Sequence, residues 1–315
     1  MLYRDKPNFA ATVNAASERL GISPTAVEKD YWVSEVLRDL NRVHAGDFIL
    51  KGGTSLSKGY GVINRFSEDI DLLIIPGERG RGATDTLIKS MADDAAEAVG
   101  GEAKSVGGAE QGRHRAYEVS YPTPRPQTAT IQTRVLLEMG IRGGDWPARR
   151  VAIGSLLGDA LAAAGVDIPA FDDLRPFKMV CLHPARTLLE KLFALHSVAL
   201  AIEADPEFAL RGHQGRHGYD VYQLLRDDDV LAVVSDPAQL HPILDDIEEY
   251  NRRFFGGVER PPDGFSQSPA FEGRATRASE LLGSEYAATM PDLYFGDAPL
   301  PTWRQIGQRV GDVGL

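Results

Sequence analysis

The sequence predicts an α+β protein, with a mixed α/β domain followed by a mostly helical domain. Apolar residues in 7–43 recur near helical spacing, and Pro24 marks the start of a second helix in that segment. Residues 69–75 and 128–139 have the alternating or continuous apolar character of strands. After Pro184 the apolar residues follow one stripe of a helix. The sheet is therefore expected in the first half of the chain and helices in the second.

The middle of the chain completes the predicted N-terminal domain. A helix is predicted for residues 84–99, and Gly100 with Gly101 would end it. A strand at 114–121 is separated by a proline-rich turn from the strand at 128–139. These elements add flanking helices and further strands to the sheet.

Residues 169–176 are predicted to link the two domains. The segment begins and ends with proline and contains two aspartates, which is typical of a linker. We therefore expect an α/β domain with N-terminal helices at 1–170 and a mainly helical domain at 171–315.

The charge balance limits how this protein meets nucleic acid. Its 315 residues include 34 Lys and Arg and 45 Asp and Glu, so the net charge is −11. Such a surface does not coat nucleic acid over its whole extent, although a local site is compatible with it. Three basic clusters are candidates: Arg142, Arg149 and Arg150; Arg211, His213, Arg216 and His217; and Arg252, Arg253 and Arg260. Scattered solvated side chains explain these residues equally well.

Cysteine content and hydropathy limit the protein's surroundings. Cys181 is the only cysteine, which excludes an intramolecular disulfide and a multi-cysteine zinc site. Its apolar neighbours indicate a small buried residue. No apolar run is long enough to span a bilayer, and the N-terminus carries no signal-peptide pattern. We expect no membrane association and a cytoplasmic location.

The segment FILKGGTSLSKGYGVINRFSEDIDLLII, residues 48–75, concentrates the polar chemistry of the N-terminal half. A short apolar strand leads into a tight turn and a helix start, formed by Gly52, Gly53, Thr54 and Ser55. The first N–H groups of a helix are free to face an anion. The next strand alternates, so Asp69 and Asp71 project from one face. This layout suits a nucleoside triphosphate and its metal ion.

The two carboxylates are costly to hold together without a counterion. Asp69 and Asp71 lie about 6.6 Å apart along the strand, where like charges repel by about 2.5 kcal/mol at an effective dielectric near 20. Mg²⁺, or Mn²⁺, would relieve that repulsion, because hard divalent ions use one or two carboxylates with substrate phosphates and water. In the structural alternative, Asp69 pairs with Arg65 or caps the strand, and Asp71 is solvated.

Four ordered segments resemble the nucleotidyltransferase superfamily, and more narrowly the AbiEii-like toxins that include the MenT-type enzymes. They are AVEKDYWVSEVLRDL at 26–40, LKGGTSLSKGYGVINRFSEDIDLLI at 50–74, TLLEKLFALH at 187–196 and RHGYDVYQLL at 216–225. The resemblance implies a nucleotidyltransferase-type mixed sheet with flanking helices. It does not extend with any clarity beyond residue 226.

Glu138 is the candidate for a third metal ligand. The alternation of residues 131–138 places Glu138 on the face opposite Leu137. The resemblance implies this role, because nucleotidyltransferases often take a third carboxylate from a neighbouring strand. The alternative is an exposed glutamate at a strand end, just before Gly140.

The same resemblance implies that Lys191 and Asp220, in the helical half of the chain, belong to the active site. Lys191 lies on or beside an apolar helix stripe, where a lysine stem can simply extend to solvent. An ammonium there would also suit a triphosphate, because its positive charge offsets the negative charge that develops during phosphoryl transfer. Asp220 would either belong to the active site or cap a helix through a D-x-x-Q box with Gln223. His217 would be a general base or a satisfied surface histidine.

The resemblance implies a metal-dependent nucleotidyltransferase toxin that transfers nucleotides from a nucleoside triphosphate to an RNA 3′ end, the tRNA acceptor end. A cognate antitoxin is the partner that such a system implies. The first alternative is an enzyme that modifies a small molecule or a protein hydroxyl. The second is a non-catalytic interaction module, which would be expected to lack one of the metal carboxylates.

Ser67 lies two residues before Asp69, at the rim of the expected nucleotide site. We hypothesise that its phosphorylation would place up to two negative charges beside the metal carboxylates and inactivate the enzyme. A Ser67→Glu protein with full activity would contradict this hypothesis.

Overall fold

The computed structural model describes residues 1–67, 69–127, 131–210, 212, 214–254, 256–271 and 276–315. The chain forms two compact units, the first from 1–61 and 66–181 and the second from 62–65 and 182–315. The first unit extends past the predicted boundary at residue 170, because the strand Phe177–Leu182 belongs to its sheet.

Helices of the first unit begin and end at residues that the sequence marks. Helix α1 ends before Gly21, whose φ of +67° suits glycine. Helix α2 begins where the Ser23 side chain accepts a hydrogen bond from the Ala26 N–H. The predicted helix break near Pro24 is confirmed. The helices are α1 Phe9–Leu20, α2 Pro24–Val43, α3 Gly52–Thr54, α4 Arg81–Val99 and α5 Leu156–Ala163.

A mixed seven-stranded sheet forms the centre of the first unit, in the order β3-β4-β5-β2-β1-β7-β6. The strands are β1 Phe48–Lys51, β2 Asp69–Ile74, β3 Ala103–Glu110, β4 His114–Ser120, β5 Arg134–Gly140, β6 Ala148–Ile153 and β7 Phe177–Leu182. Strand β2 pairs antiparallel with β1 and parallel with β5. The acidic strand β2 therefore lies in the interior of the sheet.

One face of β2 and β5 is buried under helices. Ile70, Leu72 and Leu137 belong to a core cluster that includes Val36 of α2 and Met91 of α4. The burial alternates along β5 and along the first four residues of β2, as the two-residue strand period requires, whereas Leu73 and Ile74 at the end of β2 are both buried. The opposite face of the two strands is half-exposed at their polar positions.

Two strands are confirmed where the sequence predicts them, whereas β3 and β6 are not predicted from the sequence. The strand predicted at 114–121 is β4, and the one at 128–139 corresponds to β5, although 128–130 lie outside the described residues. Strands β3 and β6 lie at the two edges of the sheet. Their side chains are mostly exposed or half-exposed, so neither strand shows a strong apolar alternation.

Helices make up most of the second unit in its described part. Helix α6 packs against α7, α8, α9 and α10, and Leu188, Leu192 and Tyr219 are fully buried. The helices are α6 Pro184–Ala204, α7 Arg216–Leu224, α8 Asp228–Val234, α9 Pro237–Phe254, α10 Arg277–Leu293 and α11 Trp303–Val313. Within the ranges described, no helix combines the length and apolar character needed to cross a membrane. The predicted α+β fold class is confirmed.

Cys181 on β7 is fully buried in the core of the first unit. Burial raises the pKa of its thiol to about 12. The interpretation of Cys181 as a small buried residue is confirmed.

Candidate active site

Three carboxylates lie at paired positions on two neighbouring strands. Asp69 and Asp71 are half-buried residues of β2, and Asp71 pairs in register with Glu138 of the parallel strand β5. Residues in register on neighbouring strands point to the same side of the sheet. Lys51 of β1 pairs with Asp71 on its other side. The alternation therefore presents all three carboxylates on one face, together with one lysine.

Gly52 brings the main chain against the Asp71 carboxylate. Its φ is +70°, a conformation that glycine adopts without strain. A Cβ at this position would lie 2.0 Å from Asp71 Oδ2, well inside contact distance. The turn thus requires a glycine for two separate reasons. The second is the close approach of main chain to carboxylate.

The hydroxyls of Thr54 and Ser55 hold this turn in place. Thr54 Oγ1 donates a hydrogen bond to the Asp69 carbonyl, and Ser55 Oγ donates to the Gly52 carbonyl at 2.9 Å. Both residues are buried, and so is Gly53. The hydroxyls therefore fix the turn to the start of the acidic strand. Ser67, predicted at the rim of the site, is half-buried.

Lys58 anchors the same turn to α2. The helical turn continues from α3 through Ser55–Gly59, which forms a π-helical turn. Lys58 Nζ lies 2.6 Å from Asp30 Oδ1 and donates to Ser34 Oγ at 2.7 Å. The sequence does not predict the ion pair of Asp30 and Lys58, although both residues lie in the segments that resemble the family. The positive charge of Lys58 is therefore paired within the protein.

A second polar cluster lies in the second compact unit and centres on Asp220. Arg65 donates from Nε to Oδ1 at 2.6 Å and from Nη2 to Oδ2 at 2.7 Å. Lys191 Nζ lies 2.9 Å from Oδ2. Burial alone would raise the pKa of Asp220, but the charges of Arg65 and Lys191 outweigh it and hold the pKa far below its usual range. Asp220 is therefore an ionised, fully buried carboxylate.

The position of Asp220 excludes the helix-cap interpretation. Helix α7 begins at Arg216, so Asp220 lies inside the helix rather than before it. A D-x-x-Q pattern occurs here in a helix interior, where it has no capping function. Asp220 instead accepts two hydrogen bonds from Arg65, which the sequence suggests only as a partner of Asp69.

Lys191 is nearly buried on α6 and does not simply extend to solvent. Its Nζ lies 3.1 Å from His217 Nδ1, in addition to its contact with Asp220. Burial lowers the pKa of Lys191, against the opposing effect of the Asp220 charge. Two cations, Arg65 and Lys191, thus share one carboxylate.

The predicted basic clusters differ in how much charge they leave exposed. Arg142 pairs with Glu110, and Arg260 lies 3.4 Å from Glu248. Arg149 stacks over the Tyr60 ring, and Arg150 is exposed. Arg252 and Arg253 are exposed at the end of α9. Arg211 and His213 lie outside the described residues.

The donor set on the acidic face fits an ion that takes only part of its ligands from protein. Carboxylate oxygens are the ligands that Mg²⁺ and Mn²⁺ prefer. Across the described residues, no three His, Cys, Asp or Glu side chains are grouped so as to enclose a metal ion. An ion held by Asp69 and Asp71 would have to complete its coordination with phosphates and water.

The chain matches a known protein family over most of its length. The family model described as "Nucleotidyl transferase AbiEii toxin, Type IV TA system" matches residues 35–309. Among solved structures, the chain is similar to MenT4, a nucleotidyltransferase toxin from Mycobacterium tuberculosis H37Rv, with 15% sequence identity and a TM-score of 0.48. That match covers 96% of this chain and 89% of the other. A comparison with curated proteins finds no match.

Proposed function

We propose that this chain, which belongs to the AbiEii family of nucleotidyltransferase toxins of type IV toxin–antitoxin systems, transfers nucleotides to the 3′ end of an RNA. The acceptor end of tRNA is the proposed target. The observation that carries the proposal is the acidic face of β2, where Asp69 and Asp71 follow a turn that needs glycine at position 52. A nucleoside triphosphate is the substrate of this enzyme class.

The proposed metal ligands are Asp69 and Asp71. Glu138 is proposed as a third, although the three carboxylates are not grouped closely enough in the structure to enclose an ion by themselves. Glu138 supports this assignment through its register with Asp71. A divalent ion bound there, Mg²⁺ or Mn²⁺, would lower the pKa of the attacking hydroxyl and stabilise the leaving pyrophosphate. The protein holds two like charges, those of Asp69 and Asp71, on one strand. A bound cation would reduce the repulsion between them.

The proposed nucleotide contacts are the turn at 52–55, Ser67 and Lys191. The turn supplies main-chain N–H groups at a helix start, whereas its hydroxyls are already used within the protein. Lys191 would offset the negative charge of the triphosphate, and its contact with Asp220 fixes its position.

The proposed RNA contacts lie on the connection between β5 and β6. Trp146 is 52% exposed there. Arg149 and Arg150 are exposed nearby in sequence. An exposed aromatic ring beside arginines is the combination that single-stranded nucleic acid binds, through base stacking and phosphate contacts. This connection directly follows the strand that carries Glu138.

A transfer assay tests the proposal and identifies the acceptor. Purified protein is incubated with total tRNA, Mg²⁺ and each labelled nucleoside triphosphate in turn, beside an Asp69→Ala variant. We expect label in the RNA with wild type and none with the variant. If no nucleotide enters RNA while a small molecule or protein is labelled, the RNA assignment is wrong. Growth arrest on expression, relieved by a co-expressed neighbouring antitoxin, tests the toxin role.

A further inference from the structure

His217 contacts the ammonium that the proposed function assigns to the triphosphate. An ammonium has three N–H donors, and those of Lys191 reach Asp220 Oδ2 at 2.9 Å and His217 Nδ1 at 3.1 Å. Asp220 Oδ2 also accepts from Arg65 Nη2 at 2.7 Å. The carboxylate is therefore shared between two cations. His217 supplies the second fixed direction for Lys191.

This contact determines the protonation of the imidazole. The ammonium has no lone pair, so Nδ1 must accept, which places the proton of a neutral ring on Nε2. The surroundings favour the neutral ring as well. Burial and the charges of Lys191, Arg216 and Arg65 outweigh the opposing effect of Asp220 and hold the pKa of His217 well below its usual value.

A neutral acceptor orients Lys191 without adding charge beside it. A carboxylate could also orient Lys191, but it would place a second negative charge next to that of Asp220 and repel an anionic ligand. An imidazole fixes the direction of one Lys191 N–H group and adds no such charge.

We propose that His217 is a positioning residue, which orients Lys191 and adds no negative charge that would repel the phosphates of the nucleotide. The inference rests on the role proposed above for Lys191. It predicts that position 217 tolerates a neutral acceptor and rejects an anionic one. The ligand class is a polyphosphate anion.

Three substitutions separate orientation from charge. His217→Asn places a neutral oxygen acceptor near the position of Nδ1, and we expect kcat and KM within about threefold of wild type. His217→Asp keeps an acceptor but adds a negative charge, so KM for the nucleotide should rise by roughly tenfold or more. His217→Leu removes the acceptor, and kcat should fall. A role limited to packing would not favour Asn over Leu in this order.

His196 provides the matched control. It is a second histidine of the same unit, nearly buried, with Nδ1 2.9 Å from Ser268 Oγ. The variants His196→Asn and His196→Asp should leave KM for the nucleotide unchanged in whatever fraction of the protein folds. Circular dichroism of all variants separates loss of fold from loss of site.

A binding measurement gives a readout that does not require turnover. Inorganic triphosphate should raise the thermal unfolding midpoint of wild type and His217→Asn, and should have little effect on His217→Asp. The inference is overturned if folded His217→Asp and His217→Leu bind triphosphate and turn over like wild type while Lys191→Met is inactive. If Lys191→Met is also fully active, the assignment of Lys191 in the proposed function is what fails.

Discussion

The Asp71 carboxylate occupies the space that a side chain on Gly52 would need, since Oδ2 would lie 2.0 Å from a Cβ there. The turn proposed to contact phosphate and the strand proposed to bind metal are thus in direct contact, because the first residue of α3 lies against the second aspartate of β2. The position of the turn and that of the carboxylate are therefore coupled.

Gly52→Ala should abolish most activity with a smaller effect on stability. The φ of +70° costs alanine about 1–2 kcal/mol, and the methyl group would force the Asp71 carboxylate away from its position. Gly61→Ala is the matched control, because Gly61 has a φ of +63° and no atom within 4 Å of its Cβ position. Both variants should lose similar stability in urea unfolding. Equal activity of the two would show that the Gly52 contact has no catalytic importance.

Asp71→Asn should lower kcat by at least about a hundredfold, because it removes a carboxylate that the metal needs while preserving the shape of the side chain. Its thermal midpoint should stay level or rise, since the repulsion between Asp69 and Asp71 disappears.

Glu138→Gln should have a smaller effect on kcat than Asp71→Asn and should raise the Mg²⁺ concentration required for half activity. An unchanged Mg²⁺ requirement would exclude Glu138 as a ligand.

The sequence predicts the local features of this site more completely than its long-range ones. The helix break before Pro24 and the alternation along β2 are local, since capping and the two-residue period are written within a few residues. The contact of Arg65 with Asp220 joins residues 155 positions apart, and no local pattern encodes it. The D-x-x-Q pattern left a helix cap open as the alternative role of Asp220, because a short motif does not reveal whether a helix has already begun.

Hydroxyl roles in the turn show a second limit of sequence reasoning. Thr54 and Ser55 have the composition of a phosphate-binding turn, yet their side chains donate to main-chain carbonyls of Asp69 and Gly52. A hydroxyl satisfies either partner equally well. Only the three-dimensional closeness of the turn and β2 decides between them. The hydroxyl residues at positions 54 and 55 therefore indicate the function of the turn less clearly than the glycine at position 52 does.

Arg65→Lys should cost activity as well as stability. A lysine cannot reproduce the two parallel hydrogen bonds to Asp220, and the change should cost about 1–3 kcal/mol of the free energy of unfolding. Arg115→Lys is the matched control, because Arg115 makes the same two-point contact with Asp85 in the first unit. Both variants should lose stability, but only Arg65→Lys should raise KM for the nucleotide. Similar kinetics for both would limit Arg65 to a structural role.

Trp146→Ala should weaken the binding of the RNA substrate and leave the binding of the nucleotide unchanged. Stacking of one base on an aromatic side chain contributes about 1–3 kcal/mol, so KM for tRNA should rise by roughly tenfold. Trp146→Phe should keep most of the effect, because the ring is retained. Leu200→Ala removes another exposed apolar side chain, 41% exposed, and should change neither KM. A Trp146→Ala protein with an unchanged KM for tRNA would place the RNA elsewhere.

The most direct measurement follows which phosphate reaches the RNA. Wild type and Asp69→Asn are incubated with tRNA, Mg²⁺ and a nucleoside triphosphate labelled at either the α or the γ phosphorus. Nucleotidyl transfer predicts that the α label enters the RNA with release of one pyrophosphate per nucleotide, and that Asp69→Asn stops both. Entry of the γ label into RNA, or undiminished α labelling by Asp69→Asn, would contradict the account.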